Sequence, residues 1–372
     1  SRRNFLGYST AFAGAAALGS FSLPNFVRTS KAATAALVPE VDKLSIRVLV
    51  DAAHDIFQRP ATVSGAKSTP AGNVNGGDYR RVLHNQWGLS LFVESTAGND
   101  AHKILIDFGY SAEALLNNIE LLEVDPTGVE AIVISHGHYD HFGGLIGFLD
   151  NFRDKLPDDL QLIAGGEDNF CLRVRGPSEA QITDSGAPDR AALEKHNVKI
   201  VLAQKPTVVA SHAFTTGKIE SRTKEYVLGS GQVYFGRRDD GQGCDASGYA
   251  AENEVGQVVK DEHRHEHATS FNVKDRGLVV VGSCSHTGIV NAALQARHVS
   301  GVEKIHAIAG GFHLGAAPDD YLRYVIGEIR ALNPDVVIPM HCSGARFVQA
   351  VREEFPEKLL ESSTGNLFTF GA

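Results

Sequence analysis

The chain lacks several features that would place it in a broad class of protein. After the first residues, no apolar run approaches the ~20 residues of a membrane-spanning helix. No short-period repeat appears, so a solenoid of regular units is excluded. Lys and Arg number 35 against 44 Asp and Glu. This acidic balance repels phosphate backbones, and nucleic acid is therefore not expected as a partner.

Cysteine is also scarce, with 4 residues in a chain of 372. Cys171 and Cys244 could form a disulfide, although nothing in the surrounding sequence favours the bond over two free thiols. Cys284 and Cys342 lie inside motifs rich in metal-ligating side chains. We therefore interpret these two as site residues rather than as disulfide partners.

The most informative segment is Ser-His-Gly-His-Tyr-Asp-His-Phe-Gly-Gly, at residues 135–144. Imidazole and carboxylate groups are the ligands that zinc, iron and manganese prefer. The apolar run at 130–134 predicts a buried strand, whose carboxyl end opens into the crevice where α/β proteins bind ligands. The segment therefore predicts a metal site with four ligands close together in sequence: His136, His138, Asp140 and His141.

Apolar strands in the second half of the chain also end in candidate ligands. One predicted strand, at 278–281, leads to Cys284 and His286, and either or both complete the coordination. Another, at 335–339, leads to His341. Both repeat the arrangement of the first motif.

Two further residues follow predicted strands. Asp107 ends the strand at 103–107, beside the metal strand, and is predicted to orient a ligand histidine. His313 follows the strand at 305–308 and has two interpretations. It either protonates a leaving group or binds the substrate, or it is a packed histidine of the core.

The rest of the pattern alternates strands and helices, which predicts an α/β protein. Further strands are predicted at 45–51 and 89–94, and helices at 112–122, 144–152, 289–297, 318–332 and 345–355. Residues from about 165 to 267 are rich in Gly, Asp and Ser and have only short apolar runs. We predict that they form an insertion that covers the site as a lid.

The motifs resemble the metallo-β-lactamase superfamily, whose signature is His-x-His-x-Asp-His after a hydrophobic strand. From about residue 44 onward, the chain is similar to one branch, the dihydropterin–ribofuranosylaminobenzene-phosphate synthase-like metal-dependent hydrolases. The resemblance implies a four-layer αβ/βα sandwich with one or two metals. The further matching motifs are Gly88-Leu-Ser90, Asp107-Phe-Gly109, Ser283-Cys-Ser-His-Thr-Gly-Ile-Val-Asn291, Gly310-Gly-Phe-His-Leu314 and Pro339-Met-His-Cys342.

The resemblance also implies ligand roles. Cys284 falls where many superfamily members place the acidic ligand of a second metal, and His341 matches their last histidine ligand. We expect two divalent ions, with zinc preferred and manganese or iron as alternatives. One ion is assigned to His136, His138 and a third ligand, and the other to Asp140, His141 and His341.

This ligand set predicts hydrolysis. Two cations can lower the pKa of a shared water from 15.7 towards ~7, which gives a metal-bound hydroxide that Asp140 helps to orient. We expect a small-molecule phosphate ester or phosphodiester as substrate, with a lactone or carboxylic ester as the alternative. A diiron redox protein of this fold usually has Glu in place of His138, which disfavours that class. A non-catalytic metal-binding protein is the other alternative.

The run at 261–267 alternates charged residues and imidazoles. Relatives carry an acidic pair or Glu-His in this region, so Glu266 or His267 is a candidate to enter the site. His263 and His265 are predicted on a solvated hairpin face.

The first seven residues, Ser-Arg-Arg-Asn-Phe-Leu-Gly, resemble a twin-arginine export motif. A weakly apolar stretch and a small-residue cleavage site at 33–35 follow. We predict a signal peptide at 1–35 and a mature domain at 36–372, exported folded to the periplasm by the twin-arginine machinery. Loss of residues 1–35, which carry four basic residues and no acid, would change the formal charge from −9 to −13. The sequence does not predict an oligomeric state.

Overall fold

The computed structural model describes residues 38–175, 183–229 and 231–371. The predicted signal peptide at 1–35 lies outside the described residues. Within them, no helix combines the length and the apolar character needed to cross a membrane.

The strands are short and distributed along the described chain. In the first half they are β1 (Glu40–Val41), β2 (Lys43–Val50), β3 (Ala61–Val63), β4 (Ala66–Thr69), β5 (Ser90–Ala97), β6 (Asp100–Ile106), β7 (Val129–Ile134), β8 (Gln161–Ala164), β9 (Leu172–Arg175) and β10 (Thr183–Asp184). In the second half they are β11 (Lys199–Leu202), β12 (Thr207–Val209), β13 (Ala213–Thr215), β14 (Gln232–Tyr234), β15 (Val258–Lys260), β16 (Thr269–Val273), β17 (Gly277–Gly282), β18 (Ile305–Gly311), β19 (Val336–Met340) and β20 (Leu367–Gly371).

The helices alternate with these strands. They are α1 (Ala112–Leu121), α2 (Tyr139–Phe142), α3 (Leu145–Phe152), α4 (Arg190–Lys195), α5 (Ile289–Ser300), α6 (Asp319–Leu332) and α7 (Gly344–Glu354). All five helices predicted from the sequence are present, with ends that differ by a few residues. In α6, Pro318 occupies the N-cap and the acidic residues Asp319 and Asp320 lie in the first turn, where the helix dipole favours negative charge.

Two large sheets form the centre of the molecule. One has nine strands in the order β11-β8-β7-β6-β5-β2-β20-β4-β3. The other has the order β12-β13-β16-β17-β18-β19, with β1 beside β16. Strands β6, β7 and β8 are parallel, as are β17, β18 and β19. The carboxyl ends of the strands in each parallel set therefore meet at one edge of their sheet.

Successive side chains of a strand point to opposite faces of its sheet, and the apolar ones therefore form three separate layers of the core. In β17, Val279 and Val281 pack into the core between the two sheets, whereas Leu278 and Val280 pack against α5, α6 and α7. On the other sheet, Leu105 and Ile132 pack against α1 and α3. Each sheet therefore has helices on its outer face, and the predicted four-layer αβ/βα sandwich is confirmed.

The region predicted as an insertion, 165–267, has two kinds of element. Strands β9, β10, β14 and β15 form a separate four-stranded sheet, but β11, β12 and β13 extend the two large sheets. Cys171 and Cys244, whose pairing the sequence left open, form a disulfide within this region. The role of the region as a lid stays a prediction.

Candidate metal centre

The candidate ligands lie in loops that follow the parallel strands. His136 and His138 follow β7, Cys284 and His286 follow β17, and His341 follows β19. Because β7 belongs to one sheet and β17 and β19 to the other, the two halves of the sandwich both contribute to the site. The structure thus gathers the residues that the sequence predicted as ligands, although their roles stay predictions.

Four histidines form the first part of the cluster, which we call the four-histidine group. His136, His138, His263 and His286 each offer one ring nitrogen, and these nitrogens all lie within 4.8 Å of one another. The rings of His263 and His286 are stacked, with centroids 3.7 Å apart. The open third ligand beside His136 and His138 thus has two candidates, His263 and His286.

The second part of the cluster, which we call the Asp140 group, consists of Asp140, His141 and His341. Oδ2 of Asp140 lies 3.2 Å from Nε2 of His341 and 3.8 Å from Nε2 of His141. Cys284 lies between the two groups, since its Sγ is close to His136 and His141 on one side and to His341 and Cys342 on the other.

Several ring nitrogens of the cluster have no hydrogen-bond partner among the described residues, and this shows whether the cluster suits a metal ion. Nε2 of His136, His141 and His341 and both ring nitrogens of His263 and His286 are buried and make no hydrogen bond within the described part of the chain. A buried polar atom without a partner is costly, and a divalent cation would satisfy several of these lone pairs at once. The donor set therefore fits divalent metal ions.

The charge state of the histidines agrees with this fit. Burial, together with neighbouring imidazoles, lowers the pKa of His136 and His286 well below the usual value. Both rings are therefore neutral at pH 7, which is the form that coordinates metals. Burial alone would also lower the pKa of His141, but the carboxylates of Asp107 and Asp140 outweigh it and raise the pKa to about 9. The Asp140 group thus favours a positive charge, which a metal ion supplies as well as a proton does.

The two cysteines of the site contact each other. Sγ of Cys284 lies 3.1 Å from Sγ of Cys342, and Nδ1 of His313 lies 3.7 Å from Cys284. Burial raises the pKa of the Cys284 thiol, so a thiolate at this position requires a nearby cation. His313 lies against the ring of His286, with centroids 4.0 Å apart, rather than deep in the apolar core. Its catalytic role stays a prediction.

Asp107 makes the contact that its predicted role requires. Its Oδ2 accepts a hydrogen bond from Nδ1 of His141 at 2.7 Å and from Oγ of Ser135 at 2.7 Å. Oγ of Ser135 also lies 3.0 Å from Nδ1 of His136. Two ligand rings are therefore fixed at Nδ1, with Nε2 directed to the cluster, which is the usual arrangement behind metal-binding histidines.

Replacing Asp107 with Asn is expected to weaken metal binding by about 10–100-fold, because the amide cannot reproduce the carboxylate contact with both Ser135 and His141. Competition of zinc between the protein and a coloured chelator measures the change. Asp125→Asn, at an exposed aspartate in a loop, is the matched control and should bind as the wild type does. Equal affinity in Asp107→Asn would contradict the positioning role.

The structure corrects the prediction for His263 and His265. Neither lies on a solvated face, since the exposed fraction is 1% for His263 and 7% for His265. His263 belongs to the four-histidine group, and His265 packs against Gly165 and Gly166. The alternation of charge suggested a surface hairpin, but the run leads into β16, which is an inner strand of its sheet.

Glu266 and His267, which were candidates to enter the site, support it from behind. Glu266 is buried and accepts hydrogen bonds from the backbone N–H groups of His286 and Thr287, at 2.9 and 2.8 Å. His267 donates from Nε2 to the carbonyl of Ile134 at the end of β7. The two side chains therefore hold the loop that carries His286 and the strand that delivers the first motif.

Two buried carboxylates were missed by the sequence analysis. Asp51 accepts a hydrogen bond from the backbone N–H of His341 at 2.7 Å. Asp261 contacts Nε2 of His138 at 3.6 Å and accepts a hydrogen bond from Nε of Arg173 at 2.9 Å. Their partners Arg173, His138 and His341 lie 88, 123 and 290 positions away along the chain, so no local pattern indicates the contacts.

Backbone strain also concentrates here. Asp107, His263, Ser285, His313 and His341 all have φ between 45° and 58°, in the left-handed region. Such a conformation costs an L-residue of order 1–3 kcal/mol and is characteristic of functional sites, where the surrounding structure enforces it.

The cluster opens into a cavity of about 730 Å³. His138, Asp140 and His313 line this cavity, together with the aromatic residues Trp87 and Tyr110. Trp87 is 58% exposed, and its ring lies 4.7 Å from that of His341. The cavity is large enough for a small organic molecule.

Comparisons with known proteins agree with this architecture. The model of the metallo-beta-lactamase superfamily matches residues 88–156, which include the first metal motif. A crystal structure described as a metal-dependent hydrolase of the beta-lactamase superfamily superposes with a TM-score of 0.62 at 23% identity, covering 88% of this chain and 99% of that one. The chain has the metallo-β-lactamase fold. The predicted fold is therefore confirmed. The match of the superfamily model supports the predicted enzyme, since proteins of this superfamily are mostly hydrolases and use divalent metals.

Sequence relatives come from Methanocaldococcus jannaschii. A protein named 7,8-dihydropterin-6-methyl-4-(beta-D-ribofuranosyl)-aminobenzene-5'-phosphate synthase is 28% identical over 295 residues, which cover 78% of this chain and 92% of the relative. An uncharacterised protein of the same organism is 26% identical over 259 residues, covering 70% of this chain and 84% of the relative. Similarity to the first is consistent with the branch of the metallo-β-lactamase fold that the motifs suggested.

Proposed function

We propose that the protein is a metal-dependent hydrolase of a small, aromatic phosphate ester or phosphodiester. The observation that carries the proposal is the cluster of buried imidazole nitrogens beside Asp140, which have no hydrogen-bond partner among the described residues and lie next to a cavity. We propose two divalent ions, zinc first, one held by the four-histidine group and one by the Asp140 group with Cys284 between them. When bound, the ions would polarise the scissile bond and lower the pKa of an attacking water.

The residues of the chain have separate tasks in this proposal. Asp140, which lines the cavity, orients the attacking water through its carboxylate. His313, which lines the same cavity, donates a proton from a ring nitrogen to the leaving oxygen. Asp107 keeps the ring of His141 in position.

The cavity wall supports the choice of substrate. Trp87, Tyr110 and Tyr139 are exposed aromatic side chains at the cavity, and a planar group can stack on them. Arg175, also at the cavity, offers a guanidinium that suits a phosphate. The name of the M. jannaschii relative joins an aminobenzene to a ribofuranosyl 5'-phosphate, and this supports the class of substrate, although that protein is called a synthase.

Screening the zinc-loaded full chain against aryl phosphomonoesters, phosphodiesters, lactones and carboxylic esters tests the proposal. We expect turnover of a phosphate ester, inhibition by chelators and recovery on return of the metal. Turnover of lactones or carboxylic esters alone would contradict the proposed substrate class, but it would still support a metal-dependent hydrolase. Substrate turnover that persists without metal would contradict the proposal.

Trp87→Ala is expected to raise KM for an aromatic phosphate by about 2–10-fold with little change in kcat, because stacking contributes about 0.5–1.5 kcal/mol. Steady-state kinetics on an aryl ester and on a small alkyl ester of the same type measures the effect. The alkyl ester is the control and should show no change. An equal rise in KM for both esters would mean that Trp87 does not recognise an aromatic group.

We also propose export in the folded state by the twin-arginine machinery to the periplasm. The arginine pair at residues 2 and 3 supports it, as does the disulfide between Cys171 and Cys244, since disulfides persist in oxidising compartments. Changing both arginines to Lys should leave the protein in the cytoplasm, as fractionation would show. Normal export of that variant would contradict the proposal.

A further inference from the structure

A second cluster of metal-ligating side chains lies at the beginning of β6, at the opposite end of this strand from the candidate metal centre. It consists of Asp100, His102 and His212, and we call it the distal cluster. Asp100 and His102 lie at the beginning of β6, whereas Asp107 of the candidate metal centre follows the end of that strand. At ~3.3 Å per residue, the strand separates the two sites by roughly 20 Å.

The three side chains converge on one point. Oδ2 of Asp100 lies 3.0 Å from Nε2 of His102 and 3.5 Å from Nε2 of His212. The two rings meet edge to face, with centroids 4.3 Å apart. In a tetrahedral zinc site with ligands at about 2.0–2.2 Å, neighbouring ligand atoms are about 3.3–3.6 Å apart. The distal cluster is therefore close to the spacing that a metal ion requires.

Each histidine is fixed at its other nitrogen. Nδ1 of His102 donates to the carboxylate of Glu130, at 2.8 and 2.9 Å from the two oxygens. Nδ1 of His212 lies 3.0 Å from Oγ of the buried Ser95. A carboxylate or another oxygen behind the ring is the arrangement that accompanies metal-binding histidines. Both Nε2 atoms face Asp100, and that of His102 makes a hydrogen bond to it.

The distal cluster also joins the two sheets. Asp100 and His102 belong to the nine-stranded sheet, whereas His212 lies in the turn between β12 and β13 of the other sheet. Ala210 and Ser211, which precede His212, have φ of 43° and 58°, so the turn holds two strained residues. An ion at this point would cross-link the sheets and hold the turn in place.

We propose that Asp100, His102 and His212 bind a divalent transition-metal ion, with zinc as the expected metal and solvent as the remaining ligand, at a site separate from the candidate metal centre. Two imidazoles and one carboxylate suit zinc and disfavour calcium, which takes oxygen ligands. Side chains of His102 and His212 are mostly buried, and Asp100 is 64% exposed, which leaves the ion access from solvent.

Zinc content of the full chain tests the proposal. The wild type, Asp100→Ala and His102→Gln are stripped with chelator, dialysed to saturation against zinc and analysed for bound metal. Both variants are expected to bind one zinc fewer than the wild type, whatever number the candidate metal centre holds. Asp125→Ala, at an exposed aspartate in the loop before β7, is the matched control and should bind as the wild type does. Glu130→Gln should bind the distal ion about 10–100-fold more weakly.

Hydrogen exchange locates the effect. In the wild type, zinc is expected to slow amide exchange in the turns at 97–100 and 210–212. In Asp100→Ala, zinc should not change exchange in these turns. Calcium should not slow exchange in either protein. Because Asp100 is exposed, its variant should fold; His102→Gln gives an independent comparison. Equal zinc content in the wild type and both variants would overturn the proposal and leave a cluster of ion pairs without a metal. Loss of hydrolysis is not part of this test, so it does not depend on the proposed function.

Discussion

Asp140→Ala is expected to lower kcat by about 10²–10⁴-fold while the protein keeps its fold. The carboxylate lies 3.2 Å from Nε2 of His341 and lines the cavity, so its loss removes both a proposed metal ligand and the group that orients the water. Alanine fits on the short helix α2, and the side chain makes no part of the apolar cores. Steady-state kinetics on the substrate found by screening measures the effect, and circular dichroism checks the fold.

Asp150→Ala is the matched control for this variant. Its carboxylate side chain is 60% exposed on the same segment of the chain and pairs with His196, outside the cavity. Full activity is expected in this control. Turnover of Asp140→Ala at the wild-type rate would remove the mechanism that we propose.

Gly137→Ala is the second change with a large expected effect. A Cβ at this position would lie 2.3 Å from the backbone oxygen of Asn169 and 2.2 Å from Nη1 of Arg173. The backbone oxygen cannot move away easily, and Arg173 is held by Asp261. The overpacking is expected to cost about 1–3 kcal/mol of unfolding free energy. Displacement of His136 and His138 by about 1 Å would lower kcat/KM about 10²-fold.

Gly327→Ala provides the comparison. Gly327 lies inside α6, and no neighbouring atom lies within 4 Å of the added Cβ, so alanine should raise the unfolding free energy by about 0.5–1 kcal/mol. Urea unfolding of both variants and of the wild type measures these changes. If Gly137→Ala kept the stability and activity of the wild type, the close packing of Asn169 and Arg173 against position 137 would not be required, which would contradict this prediction.

The strands that deliver ligands could be predicted because each is a short apolar run followed directly by a polar motif. β7, β17 and β19 are buried along most of their length, and continuous apolar runs identify such strands without any partner. The helices could be predicted for a similar reason, since their apolar faces repeat at the helical period. Edge strands such as β3, with three partly exposed residues, carry no such signal.

The place of His263 in the four-histidine group could not be predicted. Its neighbours in the chain are charged, and only the pairing of β16 inside the second sheet brings it against His286. The density of imidazoles in the run at 261–267 was a usable signal, because three histidines in seven residues are rare on an ordinary surface. The distal cluster was missed because its histidines are 110 positions apart and come together only through the packing of two sheets.

Anomalous X-ray diffraction at the zinc edge, from crystals of the zinc-loaded full chain, tests most directly the claim that the gathered imidazoles and carboxylate bind metal. We predict anomalous density among His136, His138, His263 and His286, and a second feature beside Asp140, His141 and His341. The claim would be contradicted if the map showed no anomalous density at these positions and the side chains of the two groups pointed away from one another.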